Sequence, residues 1–276
     1  RAGKSLREFL FSDVELSYIS NNISLLSSHL LKSPSDMALR KATSTTDGDL
    51  LLIVNSTDGS LATYSILRGQ NVIAPTLSTT DGEFVNVGVD VDQIYFVSKR
   101  TISSSTKYYV ECFNDDNTTD SATLLSGSSK PSTTTVTGLS HLEGKTVKVI
   151  VDDQMQSDKT VSSGQIVLDA VPTTYVEIGL DYTPTIKTLP VELKLPSGNT
   201  LAQKKRIVEA TAILYLSQNL SLNGNSFSFV AGDFFTGKKR RKPMLGYDRD
   251  GQMTFSQTAP LFFNLLGIEY KVSVGQ

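Results

Sequence analysis

His141-Leu-Glu-Gly-Lys-Thr-Val-Lys-Val-Ile-Val-Asp-Asp153 opens the stretch that decides the fold. It continues with Ser163-Gly-Gln-Ile-Val-Leu-Asp169 and with Ile178-Gly-Leu-Asp-Tyr-Thr-Pro-Thr-Ile-Lys-Thr-Leu-Pro190. Short runs of β-branched residues alternate here with turns of Gly, Asp and Ser, a pattern typical of strands joined by tight turns. The stretch predicts an all-β structure, and it contains no familiar catalytic motif.

Upstream, the tripeptide Thr-Asp-Gly occurs three times, beginning at Thr46, Thr57 and Thr80. Asp-Gly suits tight hairpin turns because glycine adopts a positive φ without strain. The runs around these turns predict about five strands, near 50–54, 61–67, 83–89, 93–98 and 108–113. Short strands at this spacing are typical of a sandwich, a barrel or propeller blades.

The length of 276 residues favours two domains. Residues 114–138 are poor in apolar side chains and rich in Ser, Thr, Asn and Asp, which indicates a linker or exposed loop. We therefore predict a sandwich-like or propeller-like β module over 1–138. The short strands beyond it predict a second all-β module over 139–276. One short helix is predicted near 23–32, where leucines and an isoleucine recur at helical spacing.

Residues 204–216 fit two kinds of element. Every second residue from Val208 to Leu216 is apolar, which favours a strand, although the composition would also support an amphipathic helix. Ile207, Thr211 and Ile213 supply β-branched side chains on the other face. We predict a strand.

Composition argues against several function classes. The chain has 26 Lys and Arg against 28 Asp and Glu, so no overall field attracts nucleic acid or anionic lipid. The single cysteine, Cys112, is predicted to be half-buried on a strand, and with only His29 and His141 a cysteine or histidine metal site is disfavoured. No run reaches the roughly 18 apolar residues of a membrane-spanning helix. We expect no cofactor, no metal and no stable membrane insertion.

Paired carboxylates are the remaining signal for catalysis, because a glycoside hydrolase needs two of them. The visible pairs are Asp115 with Asp116, Asp152 with Asp153, and Asp248 with Asp250. Each lies in a polar turn, where acidic side chains commonly accept hydrogen bonds from backbone amides. A Gly-x-Ser-x-Gly motif and a phosphate-binding loop are both absent from the sequence. No enzymatic activity is predicted.

The basic run is the one local charge anomaly. It places five cations in succession, Lys238, Lys239, Arg240, Arg241 and Lys242. One interpretation is a contact with the phosphates of a nucleic acid, which needs no base recognition. The other is a solvated loop between strands, or ion pairs with an acidic neighbouring subunit. These five residues are the candidate DNA or subunit contact.

Several blocks of the chain, taken in order, resemble the tail tubular protein B or tail nozzle family of short-tailed bacteriophages. The blocks lie at residues 24–29, 51–61, 79–82, 95–100, 141–151, 179–190, 246–251 and 260–268. The resemblance extends over nearly the whole chain and rests on the order of these blocks. Asp152-Asp-Gln-Met-Gln-Ser-Asp158 departs from it, because the family has a short Asp-Gly turn there.

This resemblance implies a structural protein of the virion tail, assembled in the cytoplasm of the bacterial host. It also implies a propeller-like β module beside a smaller, barrel-like β module over 139–276, with C-terminal strands that return to the first module. It implies a homohexameric ring that forms the distal tail tube or nozzle, the channel through which the genome leaves. It further implies docking onto an upper tail ring or adaptor protein and transient contact with passing double-stranded DNA. It carries over no catalytic residues. We expect a mixed or mildly acidic channel wall, because a uniformly basic one would hold each phosphate.

Two other functions remain open. A glycan-binding β module that recognises a host surface would present exposed aromatic side chains. The chain lacks tryptophan, and its Tyr108-Tyr109 and Phe262-Phe263 pairs fall in runs that predict core positions. A tail-associated polysaccharide hydrolase has only the carboxylate pairs in its favour.

Overall fold

The computed structural model describes residues 5–44, 47–195, 198–200, 203–243 and 246–275. Over these ranges the chain is all-β, its strands pair antiparallel, and the helical segments are single 3-10 turns. The predicted fold class is confirmed. The chain divides into two compact units, Arg1–Asp116 and Asn117–Gln276, whereas the sequence favoured a boundary between 138 and 139.

The first unit contains three antiparallel sheets. Its strands are β1 (Arg7–Ser12), β2 (Ser17–Asn22), β3 (Pro34–Arg40), β4 (Asp49–Asn55), β5 (Leu61–Leu67), β6 (Val72–Ser78), β7 (Glu83–Asp90), β8 (Gln93–Ile102) and β9 (Ser105–Cys112). Its 3-10 turns are Ser28–Leu30 and Arg68–Gln70. The sheets are β1-β2, β3-β4-β5-β6 and β7-β8-β9. The two larger sheets share a core that includes Leu52, Val87 and Phe96, which is sandwich-like packing.

The second unit is built from smaller sheets. Its strands are β10 (Asp120–Ser126), β11 (Thr135–Thr137), β12 (Thr146–Val151), β13 (Gln154–Met155), β14 (Lys159–Thr160), β15 (Gln165–Val167), β16 (Tyr175–Leu180), β17 (Thr185–Lys187), β18 (Lys194–Leu195), β19 (Gly198–Asn199), β20 (Lys205–Ser217), β21 (Ser221–Leu222), β22 (Asn225–Ser226), β23 (Phe235–Arg241), β24 (Thr254–Ser256) and β25 (Asn264–Val274). The remaining 3-10 turns are Gly127–Ser129 and Ser140–Leu142.

These strands form two groups of sheets, each with its own hydrophobic core. The sheet β10-β16-β12-β13, with β14 also on β12 and the β11-β15 pair beside it, encloses Leu139, Val149 and Ile178. The sheets β23-β20-β25 and β17-β24-β21-β22 enclose Leu214 and Phe255. The described sheets are open and do not close on themselves, so the barrel-like form that the resemblance implies for this module is wrong and a sandwich-like form fits.

Residues 204–216 form a strand, as predicted. The structure extends it as β20, Lys205–Ser217, which lies between β23 and β25. Ala210, Ala212 and Leu214 are buried in the core of this part of the unit. The alternation of apolar residues predicted the strand correctly, because a strand that lines a core has one apolar face.

The helix predicted near 23–32 is wrong. The structure has turns there and a single 3-10 turn at Ser28–Leu30. Leu26 is 92% exposed whereas Leu31 is 7% exposed, so the leucines do not share a buried face. The Ser24 hydroxyl is buried and accepts a backbone N–H from the residue just before β1. This contact joins residues 18 positions apart in the sequence, and tertiary contacts of this kind override a local helical pattern.

Residues 114–138 hold more structure than the predicted linker or exposed loop. Strand β10 lies in this range and pairs with β16. Glu177, on β16, is 2% exposed and its carboxylate accepts the N–H groups of Thr118 at 2.9 Å and Thr119 at 2.7 Å. This buried carboxylate attaches the start of the second unit to its sheet, although no hydrophobic pattern marked the segment.

The Asp-Gly turns at Gly59 and Gly82 have the positive φ values that their sequences predict. Gly59 has a φ of +63°, and a Cβ there would lie 2.4 Å from Cβ of Glu83, so only glycine fits. Thr46, from the first Thr-Asp-Gly copy, lies outside the described residues.

Asp152 and Asp153 have φ values of 48° and 63°, and Val151 pairs with Gln154. This is a two-residue hairpin of the type I′ kind, made with two aspartates.

Candidate functional site

The basic run lies on a strand. Lys238 to Arg241 belong to β23, which pairs antiparallel with β20, and Lys242 follows its end. The interpretation of this run as a solvated loop therefore does not hold for four of the five candidate residues. Because side chains alternate along a strand, Lys238 and Arg240 point to one face and Lys239 and Arg241 to the other.

Carboxylates of the same chain face Lys238 and Arg240. Lys238 forms an ion pair with Glu269 on β25. Arg240 Nε lies 3.4 Å from Glu209 Oε1 on β20, and Lys271 Nζ lies 3.7 Å from the same oxygen. This face of the sheet therefore carries three cations and two carboxylates side by side. Ion pairs that are this exposed contribute only about 0–1 kcal/mol each, so they remain able to exchange partners.

Lys239 and Arg241 are held on the opposite face. The Lys239 ammonium lies 4.1 Å from the ring centre of Phe235 and 4.6 Å from that of Phe229, and it donates to the backbone oxygen of Ser228 at 2.5 Å. Contacts of this kind are cation–π interactions. Arg241 donates to the backbone oxygen of Ser226. The basic run therefore does not act as one patch, because its two halves have different surroundings.

The carboxylate pairs behave as turn residues. Asp115 and Asp116 are exposed. Asp152 accepts the N–H groups of Thr173 and Thr174 at 2.7 Å and of Tyr175 at 3.0 Å. Burial opposes ionisation of Asp152, but these backbone donors outweigh it and lower its pKa to about 2.

The neighbouring Asp153 accepts a hydrogen bond from the Tyr175 hydroxyl at 2.8 Å. Burial, together with this bond to Asp153, raises the pKa of Tyr175 well above its usual value. Asp152 and Asp153 thus have defined structural partners in the same hairpin.

Asp248 and Asp250 border a cleft of about 410 Å³ in the second unit. Lys187 and Lys205 also line it, and Lys205 is fully buried with its ammonium donating to the backbone oxygen of Thr200 at 2.9 Å. Both aspartates are exposed. The cleft thus combines two lysines with two exposed aspartates.

Within the described ranges, no group of three or more His, Cys, Asp or Glu side chains could hold a metal ion. No helix in that part of the chain is long and apolar enough to cross a membrane. Cys112 is exposed on β9, which corrects the half-buried position predicted for it.

Exposed aromatic side chains were missed by the sequence reasoning. On the β1-β2 hairpin, Phe9 is 71% and Tyr18 is 65% exposed, and their rings stack with centres 5.1 Å apart. On the β7-β8-β9 sheet, Tyr108 is 62% exposed although its run predicted a core position. Alternation shows that a strand has two faces, but it does not show which face is covered.

Comparison with known proteins identifies no family. No family model matches the chain, and no curated protein matches its sequence. Among solved structures, an exo-β-1,3-galactanase from Phanerochaete chrysosporium is 10% identical with a TM-score of 0.27, over 94% of this chain and 61% of that one. An α-xylosidase from Xanthomonas citri is 9% identical with a TM-score of 0.15, over 87% and 36%. This chain spans less than two thirds of either protein, and likenesses this low support no shared activity.

Proposed function

We propose that this protein is a structural component of a bacteriophage tail, where copies of it form the distal tube or nozzle through which the genome is ejected. The proposal starts from the family resemblance of the ordered sequence blocks. The observation that supports it best is the mixed charge around the basic strand. Lys238 and Arg240 lie beside Glu269 and Glu209 on one exposed sheet face.

A mixed face suits a surface past which DNA moves. A wall of unpaired cations would release counterions at each phosphate and bind the duplex tightly. Cations that already have carboxylate neighbours make weaker and more easily exchanged phosphate contacts. Partners in this proposal are further copies of the chain in a hexameric ring, an upper tail ring or adaptor, and transiently the passing DNA.

Imaging of the protein in purified virus particles tests this proposal directly. We expect a ring at the distal end of the tail, with both β units in its wall. Particles in which the protein lies elsewhere, or from which it is absent, would contradict the proposal.

A charge-reversal experiment tests the role of the basic strand. The variant K238E/R240E places like charges beside Glu269 and Glu209, so we expect impaired ring assembly or slower genome release. Lys204→Glu is the matched control, because Lys204 is an exposed cation of the same unit outside this strand. Unchanged assembly and release in the double variant would remove any special role for the basic strand.

A second candidate function is recognition of a host-surface glycan. The exposed Phe9–Tyr18 stack and Tyr108 favour it, since sugar rings pack against aromatic faces. Binding on a glycan array that is lost on Tyr108→Ala or Tyr18→Ala would support this function. Absence of binding by the intact chain would leave the tail component as the better account.

A further inference from the structure

Strand β25 is an open edge of its sheet. The strand order is β23-β20-β25, and among the residues described no other strand pairs with the outer side of β25. Its central residues Glu269, Tyr270 and Lys271 are all exposed, although alternate residues of a covered strand would be buried. An edge strand of this length presents a row of unpaired backbone groups that can accept another strand.

Other edges of the molecule carry features that block such pairing. Strand β23, at the opposite edge of the same sheet, carries lysines and arginines. The edge strands β3 and β6 contain Pro34 and Pro75. Charged residues and prolines are the usual means by which proteins protect sheet edges. From Gly267 to Ser273, strand β25 has no proline and only two charges, of opposite sign.

The sequence of β25 is complementary to itself. In an antiparallel pair centred on Tyr270, Glu269 lies opposite Lys271 of the partner subunit, and Ile268 opposite Val272 of the partner subunit. Gly267 then faces Ser273 of the partner subunit, so small, β-branched and oppositely charged residues all meet suitable partners. The arrangement has a two-fold axis, so every favourable contact occurs twice.

We propose that two copies of this chain associate through β25 and form one continuous six-stranded sheet. The order across it is β23-β20-β25 of one copy, followed by β25-β20-β23 of the other. Both outer edges of this sheet are then the protected strand β23. The association completes the backbone hydrogen bonds of the open edge and leaves no unprotected edge in the sheet.

The ion pairs within one copy permit this association. Lys238 and Glu269 are 57% and 56% exposed, and Lys271 is 76% exposed. Exposed pairs of this kind hold their partners weakly. Glu269 can therefore accept Lys271 of the partner subunit while Glu209 stays beside its own Lys271, which extends a row of alternating charges across the two-fold axis.

Strand β9 has a similar pattern but does not suit the same role. Around Tyr109, Lys107 would lie opposite Glu111 of a second copy. However, Glu111 accepts two hydrogen bonds from Arg100, at 2.9 and 3.1 Å, and Arg100 is 1% exposed. Removing the carboxylate from a buried arginine is costly. The self-pairing surface is therefore assigned to β25.

This inference does not rest on the proposed function. A two-fold pair is not a contact around a six-fold ring, so the two proposals can fail separately. The pair would be a property of the free protein, observable in solution without any particle.

Sedimentation equilibrium of the chain tests the pairing. We expect a dimer whose dissociation constant rises at least about tenfold in Glu269→Lys and in Lys271→Glu, because each places like charges opposite each other twice. The double variant E269K/K271E restores opposite charges across the axis and should restore the dimer. Far-UV circular dichroism confirms that each variant is folded.

Cross-linking supplies a second measurement at the axis itself. Tyr270→Cys, with Cys112→Ser, places two thiols opposite each other and should form a disulfide dimer on mild oxidation. Tyr215→Cys in the same background is the control, since Tyr215 is 49% exposed on β20 but away from the open edge. A monomer at all concentrations, a double variant that stays dissociated, or equal cross-linking at both positions would each overturn the inference.

Discussion

The sheets β7-β8-β9 and β23-β20-β25 both pair an arginine with a glutamate, but in opposite surroundings. Arg100 is 1% exposed, contacts Glu111 through two hydrogen bonds and donates to the backbone oxygen of Asp81 at 2.8 Å. Arg240 is 69% exposed and lies 3.4 Å from Glu209. The buried Arg100 cannot lose its carboxylate without being left as an uncompensated charge, whereas the members of an exposed pair can be solvated by water and salt ions. Burial therefore determines which of these ion pairs stabilises the fold.

The largest effect is expected for Arg100→Ala. It empties a buried site, leaves the Asp81 turn without a donor and leaves the 23% exposed Glu111 without its cation, so the first unit should lose about 3 kcal/mol of stability. Urea unfolding followed by circular dichroism measures the loss. An effect below about 1 kcal/mol would mean that the buried pair is no stronger than an exposed one.

Gly82→Ala tests the turn that Arg100 holds. Gly82 has a φ of +131°, and a Cβ there would lie 2.2 Å from the backbone oxygen of Lys99. Because backbone must move to admit the methyl group, we expect a loss of about 2 kcal/mol in the same unfolding experiment. Gly88→Ala is the control, since a Cβ at Gly88 meets nothing within 4 Å. Equal stability of the two variants would show that the turn is not constrained.

Asp152→Asn tests a carboxylate whose negative charge is stabilised by backbone N–H donors. The pKa of Asp152 is lowered from 3.8 to about 2, so its contribution to stability is fully present above pH 3.8 and is lost as the pH falls through 2. After allowance for solvent screening, we expect the variant to be about 1 kcal/mol less stable at pH 7. Urea unfolding at several pH values should show this difference disappearing toward pH 2. A difference that does not depend on pH would contradict the assignment.

The smallest effect is expected for Arg240→Ala. Its exposed ion pair with Glu209 should contribute less than about 0.5 kcal/mol, and even that should disappear in high salt. Thermal unfolding at low and high ionic strength measures both quantities. A loss as large as that of Arg100→Ala would invalidate the distinction between the two sheets.

Sequence reasoning succeeded where a local pattern was strong. Strand β20 was recognised from its alternation, and the turn at Gly59 from its Asp-Gly pair. It failed at 23–32, where the helical spacing of the leucines was overridden by a tertiary contact of the buried Ser24 hydroxyl with the Leu6 backbone. It did not place the basic run on a strand, because a row of cations is as compatible with an exposed loop as with an edge strand.

The sequence alone determined that this chain is all-β and where most of its strands lie, because alternation and turn residues act over a few neighbouring positions. Only the tertiary structure decided which charges are buried, which strand edges stay open and which aromatic faces are uncovered. Arg100 and Arg240 have the same side chain, and their difference arises from residues distant in sequence that fold over one and not over the other. Burial is a property of the packed chain, so no local pattern contains it.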